Sequence, residues 1–149
     1  MRAVVQRVKS AAVTVEGKQV GAIGQGLLIL LGVEEGDGPS DLDYMVRKTT
    51  NLRVFDDGEG VMNLSVKEAG GELLAVSQFT LLGDCQKGNR PSYIRAAGPE
   101  EAERQYRAFV EACRREGLTV AEGVFRAEML VSLVNDGPVT ILIDSKKRF

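Results

Sequence analysis

The sequence of 149 residues contains no histidine. Histidine is the most common general base in enzymes and a frequent metal ligand. Its absence excludes a Ser-His-Asp triad, a Cys-His pair and any histidine metal site. Chemistry at this protein must therefore use other side chains, the backbone or the substrate itself, and we expect neither a metal nor a cofactor.

Tryptophan, cysteine and long apolar segments are also scarce. Without tryptophan, the core must consist mainly of aliphatic side chains. Two cysteines, Cys85 and Cys113, do not make a disulfide framework and predict free thiols in a cytoplasmic protein. Gln6 and Arg7 interrupt the first apolar run, so no secretory segment is predicted there. No later run approaches the roughly 18 to 20 apolar residues that span a bilayer, so we expect no membrane partner.

The net charge of −2 argues against broad contact with nucleic-acid phosphates. Basic residues nevertheless cluster locally, at Lys87, Arg90 and Arg95 and at residues 146–148. Such clusters are usually solvated surface. The charge is still compatible with a protein that contacts only one end of an RNA.

The length and the 44% hydrophobic content predict one domain over residues 1–149. Helical periodicity predicts a helix from Asp41 to Leu52 and another from Pro99 to Gly117, and residues 83–98 are expected to form an ordered loop. Apolar, valine-rich segments predict strands over Ala3–Val8, Ala11–Glu16, Gln19–Ile23, Leu27–Val33, Arg53–Phe55, Glu72–Gln78, Met129–Asn135 and Val139–Asp144. The predicted fold is α/β of the α+β type, with a mostly antiparallel sheet curled into a barrel-like core and two packed helices.

Several familiar motifs are absent. The glycines of residues 21–26 have the wrong order for a dinucleotide fingerprint and precede a strand, so they are interpreted as hairpin glycines. Residues 83–88 lack the Lys-Ser/Thr ending of a phosphate loop, and no Gly-x-Ser-x-Gly elbow occurs. Asp41 and Asp43 fit the first turn of a helix, where acids are favoured, and receive no catalytic role.

Two polar segments stand out among the predicted strands. Ser77-Gln78-Phe79-Thr80-Leu81 follows an apolar strand, and its polar side chains are compatible with an ordinary strand end. Asn135-Asp136-Gly137-Pro138 lies between two apolar runs, and most such sequences are simple turns. The local pattern alone does not decide whether either segment is structural or functional.

Taken together, the segments resemble the D-aminoacyl-tRNA deacylase family along essentially the whole chain. The matching segments are the opening residues 1–17, SQFTL at 77–81, KGNRPSY at 87–93 and VSLVNDGPVT at 131–140. The two polar segments occur in the order and at the separation typical of the family. Residues 84–86 and 125–129 depart from it in detail, which bears on substrate preference.

The resemblance implies a homodimer whose active site lies at the subunit interface. Gly137-Pro138 would form the family's Gly-cis-Pro unit, which one subunit inserts into the pocket of the other. Its backbone would bind the α-amino group and occupy the space that an L side chain needs, so that D-aminoacyl-tRNA and glycyl-tRNA are hydrolysed. The other implied site residues are Arg7, which orients this unit, Ser77, Gln78, Phe79 and Thr80 in the pocket wall, and Phe125 and Met129 beside the terminal adenosine.

The reaction implied by the resemblance is hydrolysis of the ester at the acceptor end of tRNA. Thr80 or Ser77 could attack, but neither has an evident base. The family favours a route in which the ribose 2′-hydroxyl helps activate water and backbone N–H groups near Phe79 and Thr80 stabilise the oxyanion. Two alternatives remain at this stage: a hydrolase of free D-amino-acid esters, and a non-catalytic dimeric protein that binds RNA ends.

Overall fold

The computed structural model describes residues 1–149 as eight strands, two α-helices and one 3₁₀ helix. The helices are α1 (Pro39–Asn51), α2 (Pro99–Arg115) and the 3₁₀ helix Phe79–Leu82. The strands are β1 (Arg2–Val15), β2 (Lys18–Ile23), β3 (Gly26–Gly32), β4 (Phe55–Asp56), β5 (Met62–Leu64), β6 (Glu72–Ser77), β7 (Val120–Glu122) and β8 (Leu130–Asp144).

The long strand β1 organises the main sheet. One edge of β1 pairs antiparallel with β3 and then β2, and the other edge pairs antiparallel with β8 along nearly its whole length. Beyond β3 the sheet continues through β6 and β7, and both of these pairings are parallel. The short strands β4 and β5 form a separate hairpin. The sheet is therefore mostly antiparallel, as predicted.

The sheet curls until its ends nearly meet. A Cβ atom placed on Gly21 of β2 would lie 2.3 Å from the carbonyl oxygen of Glu122 in β7. Only glycine allows two backbones to approach so closely. Residues 21–26 precede a strand, as predicted, but the hairpin interpretation is wrong: β2 and β3 do not pair with each other and follow one another along the same edge of β1. The prediction of a barrel-like α+β fold with two packed helices is confirmed.

Two apolar clusters fill the molecule. The larger lies between the sheet and the helices, where Met45, Phe109 and Cys113 are fully buried. The smaller lies on the other face of the sheet and includes Val8 and Leu28. Both clusters are predominantly aliphatic, as the shortage of aromatic residues predicts. Burial raises the pKa of the Cys113 thiol to about 12, which fits its expected role as core.

Several predicted boundaries are wrong. The two strands predicted at 3–8 and 11–16 merge into β1, which ends at Val15, and the two predicted at 129–135 and 139–144 merge into β8, which begins at Leu130. β1 and β8 stay paired across the irregular positions between them. The predicted strand 72–78 ends at Ser77, and the strand predicted at 53–55 is displaced to Phe55–Asp56. The strands β5 and β7 were missed because three residues carry too little periodicity. None of the helices has the length and apolar character required to cross a bilayer.

Candidate active site

An apolar cavity of about 510 Å³ opens where β3 and β6 end. Eleven of its fifteen lining residues are hydrophobic, a character typical of small-molecule sites. The walls come from the ends of two strands, the start of α2 and the segment that precedes β8. The lining residues are Leu31, Val33, Val76, Ser77, Gln78, Phe79, Ala97, Pro99, Ala102, Tyr106, Phe125, Arg126, Ala127, Met129 and Val131.

The polar side of the cavity is formed where β6 changes into the 3₁₀ helix. The Gln78 N–H donates a hydrogen bond to the Leu31 carbonyl at 2.8 Å, which keeps this segment at the end of β3. The chain then turns, so Phe79 and Thr80 become the first residues of the 3₁₀ helix rather than a continuation of the strand. Their two backbone N–H groups have no acceptor within the chain. This short turn therefore offers two neighbouring unpaired donors.

Five of the predicted site residues line this cavity: Ser77, Gln78, Phe79, Phe125 and Met129. Thr80 lies directly beside it and is exposed. Its hydroxyl accepts a hydrogen bond from the Gln78 side-chain amide. An amide N–H donor cannot take up a proton, so this contact orients the Thr80 hydroxyl without activating it.

Tyr106 of α2 also lines the cavity and was not predicted as a site residue. Its hydroxyl donates a hydrogen bond to the Ala75 carbonyl at 2.9 Å, and its ring centroid lies 6.1 Å from that of Phe125. Burial raises the pKa of Tyr106 well above its usual value, so the phenol stays protonated. The apolar periodicity of α2 places Tyr106 in the core, and periodicity alone does not distinguish a cavity wall from packed interior.

The remaining predicted residues, Arg7, Gly137 and Pro138, do not line the cavity. Arg7 is buried on β1 with 7% of its surface exposed. Its Nη1 donates to the Val54 carbonyl at 2.6 Å, and its Nε lies 3.3 Å from the carbonyl oxygen of Asp136 and 3.4 Å from the Asp136 carboxylate. Arg7 therefore ties β8 to β1 directly before the Gly-Pro pair.

The Gly137-Pro138 peptide bond is cis, and both residues are exposed. Gly137 has a φ of +114°. A Cβ atom at this position would lie 2.7 Å from Nη2 of Arg7 and 3.0 Å from Val139. The left-handed backbone conformation therefore favours glycine, and an added Cβ atom would also have to displace the Arg7 guanidinium.

The strand that carries this unit is unusually apolar on its exposed side. The edge of β8 opposite β1 pairs with no strand of the chain. Leu130, Val134 and Leu142 expose 72%, 56% and 60% of their surfaces. Monomeric proteins rarely leave a free strand edge beside several exposed aliphatic residues. The Gly-Pro unit thus lies on a surface with the character of an interface.

Comparisons with known proteins identify the family to which the chain belongs. The profile of the family described as D-Tyr-tRNA(Tyr) deacylase matches residues 4–144. Proteins named D-aminoacyl-tRNA deacylase from Desulfitobacterium hafniense and Natranaerobius thermophilus are 60% and 57% identical, with complete coverage of both chains. The structure is also similar to that of a c-Myc DNA unwinding element binding protein, with a TM-score of 0.91 and 46% identity over 97% of this chain and 98% of that chain. The chain therefore belongs to the D-Tyr-tRNA(Tyr) deacylase family and is an enzyme of the hydrolase class.

Proposed function

We propose that the chain hydrolyses D-aminoacyl-tRNA in the cytoplasm, as a homodimer in which Gly137-Pro138 of one subunit enters the cavity of the other. The observation that carries this proposal is the separation of the two halves of the site. Residues 77–79 line the cavity, and the Gly-Pro unit has a defined backbone conformation, yet this unit does not line the cavity of its own chain.

The outer surface of β8 supports the dimer. A two-fold axis beside this strand would cover its free edge and its exposed leucine and valine side chains. The same operation would bring each Gly-Pro unit towards the partner subunit. Since Arg7 fixes Asp136 on the buried side, the unit can project from a rigid base.

Chirality would be read by the backbone of the inserted unit. A backbone wall next to the α-carbon leaves room for hydrogen on that side but excludes the side chain of an L-amino acid. The side chain of a D-amino acid points away from the wall, so its size should matter little. Glycine has no β-carbon, and we infer that glycyl-tRNA is hydrolysed too. Packed backbone relaxes poorly, so the discrimination should be strong.

For the ester hydrolysis, we propose that the terminal adenosine lies beside Phe125 and Met129, with the ester carbonyl near the 3₁₀ helix. A water molecule, assisted by the ribose 2′-hydroxyl, adds to the carbonyl carbon. The free N–H groups of Phe79 and Thr80 stabilise the oxyanion. The C–O bond to the ribose then breaks, the ribose oxygen takes a proton, and a free D-amino acid and tRNA are released. Ser77, Gln78 and Thr80 position the reacting groups.

The experiment compares D-tyrosyl-tRNA, L-tyrosyl-tRNA and glycyl-tRNA with limiting enzyme. We expect hydrolysis of the first and the third and sparing of the second. If glycyl-tRNA were spared as completely as the L substrate, the enzyme would not recognise the L side chain by exclusion. Equal activity on a free D-tyrosine ester would instead indicate an esterase that needs no tRNA, and stoichiometric binding without turnover would indicate a binding protein.

A further inference from the structure

Loop 83–98 forms a fixed projection beside the cavity. The backbones of Asp84 and Ser92 exchange two hydrogen bonds of 2.8 Å, which close the loop at its base. The Tyr93 ring packs across Gly83, because a Cβ atom built on that glycine would lie 3.0 Å from the ring. Tyr93 also meets Phe79 edge to face, with ring centroids 5.2 Å apart. The loop is thus joined to the turn that carries the polar side of the cavity.

The outer surface of this projection combines exposed apolar groups with free cations. Phe79, Tyr93 and the adjacent Ile94 expose 55%, 40% and 81% of their surfaces. Lys87 and Arg90 are exposed near the tip of the loop and form no ion pair within the chain. Arg95, by contrast, is bound to Glu34 at 2.8 Å and serves the fold. We refer to Phe79, Tyr93, Ile94, Lys87 and Arg90 as the aromatic ledge.

The aromatic ledge is continuous with the cavity. Phe79 belongs to both, and Ala97 near the end of the loop and Pro99 directly after it line the cavity as well. A nucleotide chain whose last residue enters the cavity can leave it past this rim. Exposed aromatic rings beside lysine and arginine are the usual elements of sites for single-stranded nucleic acid, because bases stack on the rings and the cations contact phosphates.

We propose that the aromatic ledge binds the unpaired nucleotides that precede the terminal adenosine of aminoacyl-tRNA. This inference rests on the proposed function and adds a second subsite to it. The chemistry of the ledge favours RNA as the occupant, because two exposed cations without a carboxylate partner suit phosphates and the exposed rings beside them suit bases. The exposed aliphatic surface of β8 already offers a better interface between copies.

The test compares two substrates, D-tyrosyl-tRNA and the D-tyrosyl ester of adenosine, which lacks the preceding nucleotides. In the double variant Lys87→Gln with Arg90→Gln, we expect the KM for D-tyrosyl-tRNA to rise about tenfold at low salt, and the dependence of log KM on log salt to weaken by about one to two. The KM for the short ester should not change. The matched control is Lys18→Gln with Arg115→Gln, which removes the same charge at two other exposed positions.

A second pair of variants tests the ring itself. Tyr93→Ala should raise the KM for D-tyrosyl-tRNA about tenfold relative to the KM for the short ester, because one stacking surface is lost. Tyr93→Phe keeps the ring, so the ratio of the KM for D-tyrosyl-tRNA to the KM for the short ester should equal that of the unmodified enzyme. If the role of Tyr93 were purely structural, Tyr93→Ala would change the KM values for both substrates by the same factor.

Three results would contradict a role of the aromatic ledge in binding. The first is an equal change of KM for both substrates in the Lys87/Arg90 variant, and the second is the same change of KM in the control pair. The third is dissociation of the dimer by Tyr93→Ala. An unmodified enzyme that hydrolyses neither substrate would overturn the proposed function itself. The two failures are therefore distinguishable.

Discussion

The cavity and the outer surface of β8 differ in how far a single chain completes them. In the cavity, Tyr106 donates its hydroxyl hydrogen to a buried carbonyl and the apolar walls come from one chain. On β8, Arg7 fixes the Gly-Pro unit from the buried side, while Val134 and its neighbours remain exposed. In the proposed site, the cavity of one subunit receives the aminoacyl group and the Gly-Pro unit of the other subunit selects its chirality.

This difference indicates which properties belong to a single chain. The chain alone can form the cavity and fix the backbone of the Gly-Pro unit. It does not bring the two together, so chiral selection should depend on association. Substitutions in the two regions should consequently act on different measurable quantities.

The largest effect is expected from Gly137→Ala. Because residue 137 has a φ of +114° and a Cβ there would lie 2.7 Å from Arg7, the unit must shift. A displacement of about 1 Å costs on the order of 100-fold in kcat/KM, and we expect a fall of that order for D-tyrosyl-tRNA. The control is Gly58→Ala in the β4–β5 turn, where a Cβ meets nothing within 4 Å. Full activity of Gly137→Ala would remove this unit from the site.

Val134→Asp should separate the subunits. A charge placed on the proposed interface would lose its water on association, so the dissociation constant of the dimer should rise at least about tenfold. Sedimentation at micromolar concentration measures this, and activity per chain should fall on dilution. Val61→Asp is the matched control, because Val61 exposes 55% and Val134 exposes 56%. A dimer unaffected by Val134→Asp would place the interface elsewhere.

Arg7→Lys should have an intermediate effect. A lysine ammonium cannot reach the Val54 carbonyl and Asp136 with the geometry of a guanidinium. We expect a fall of about tenfold in kcat/KM and a loss of about 1–2 kcal/mol in the free energy of unfolding. Arg107→Lys on the surface of α2, which pairs with Glu103, should change neither quantity. If Arg7→Lys behaved like this control, the anchoring role of Arg7 would be wrong.

The smallest effect is expected from Thr80→Ala. The Thr80 hydroxyl has only an amide donor beside it, so its loss should remove positioning and reduce kcat by less than about tenfold. A nucleophile would lose several orders of magnitude. Terminating the tRNA in 2′-deoxyadenosine should slow the unmodified enzyme far more. Unchanged turnover of that substrate, together with an inactive Thr80→Ala enzyme, would exclude assistance by the ribose.

Much of this organisation could be predicted from the sequence. The helices and most strands follow from apolar periodicity, and the resemblance located both polar segments. The 3₁₀ turn at Phe79 was missed because its polar residues also fit a strand end. Tyr106 was missed because periodicity reports burial and not the shape of the space beside a ring. The exposure of Val134 and Leu142 could not be predicted either, since an exposed apolar strand has the same sequence pattern as a buried one.

The most direct test of the cross-subunit site is activity in mixed dimers. Gly137→Ala leaves the cavity intact, whereas Ala127→Trp fills the cavity and leaves the Gly-Pro unit intact. Each variant alone should be nearly inactive on D-tyrosyl-tRNA. After subunit exchange, half of the dimers contain one complete site, and activity should return to about a quarter of the unmodified value. Purified mixed dimers that remain as inactive as the separate variants would contradict a site shared between subunits.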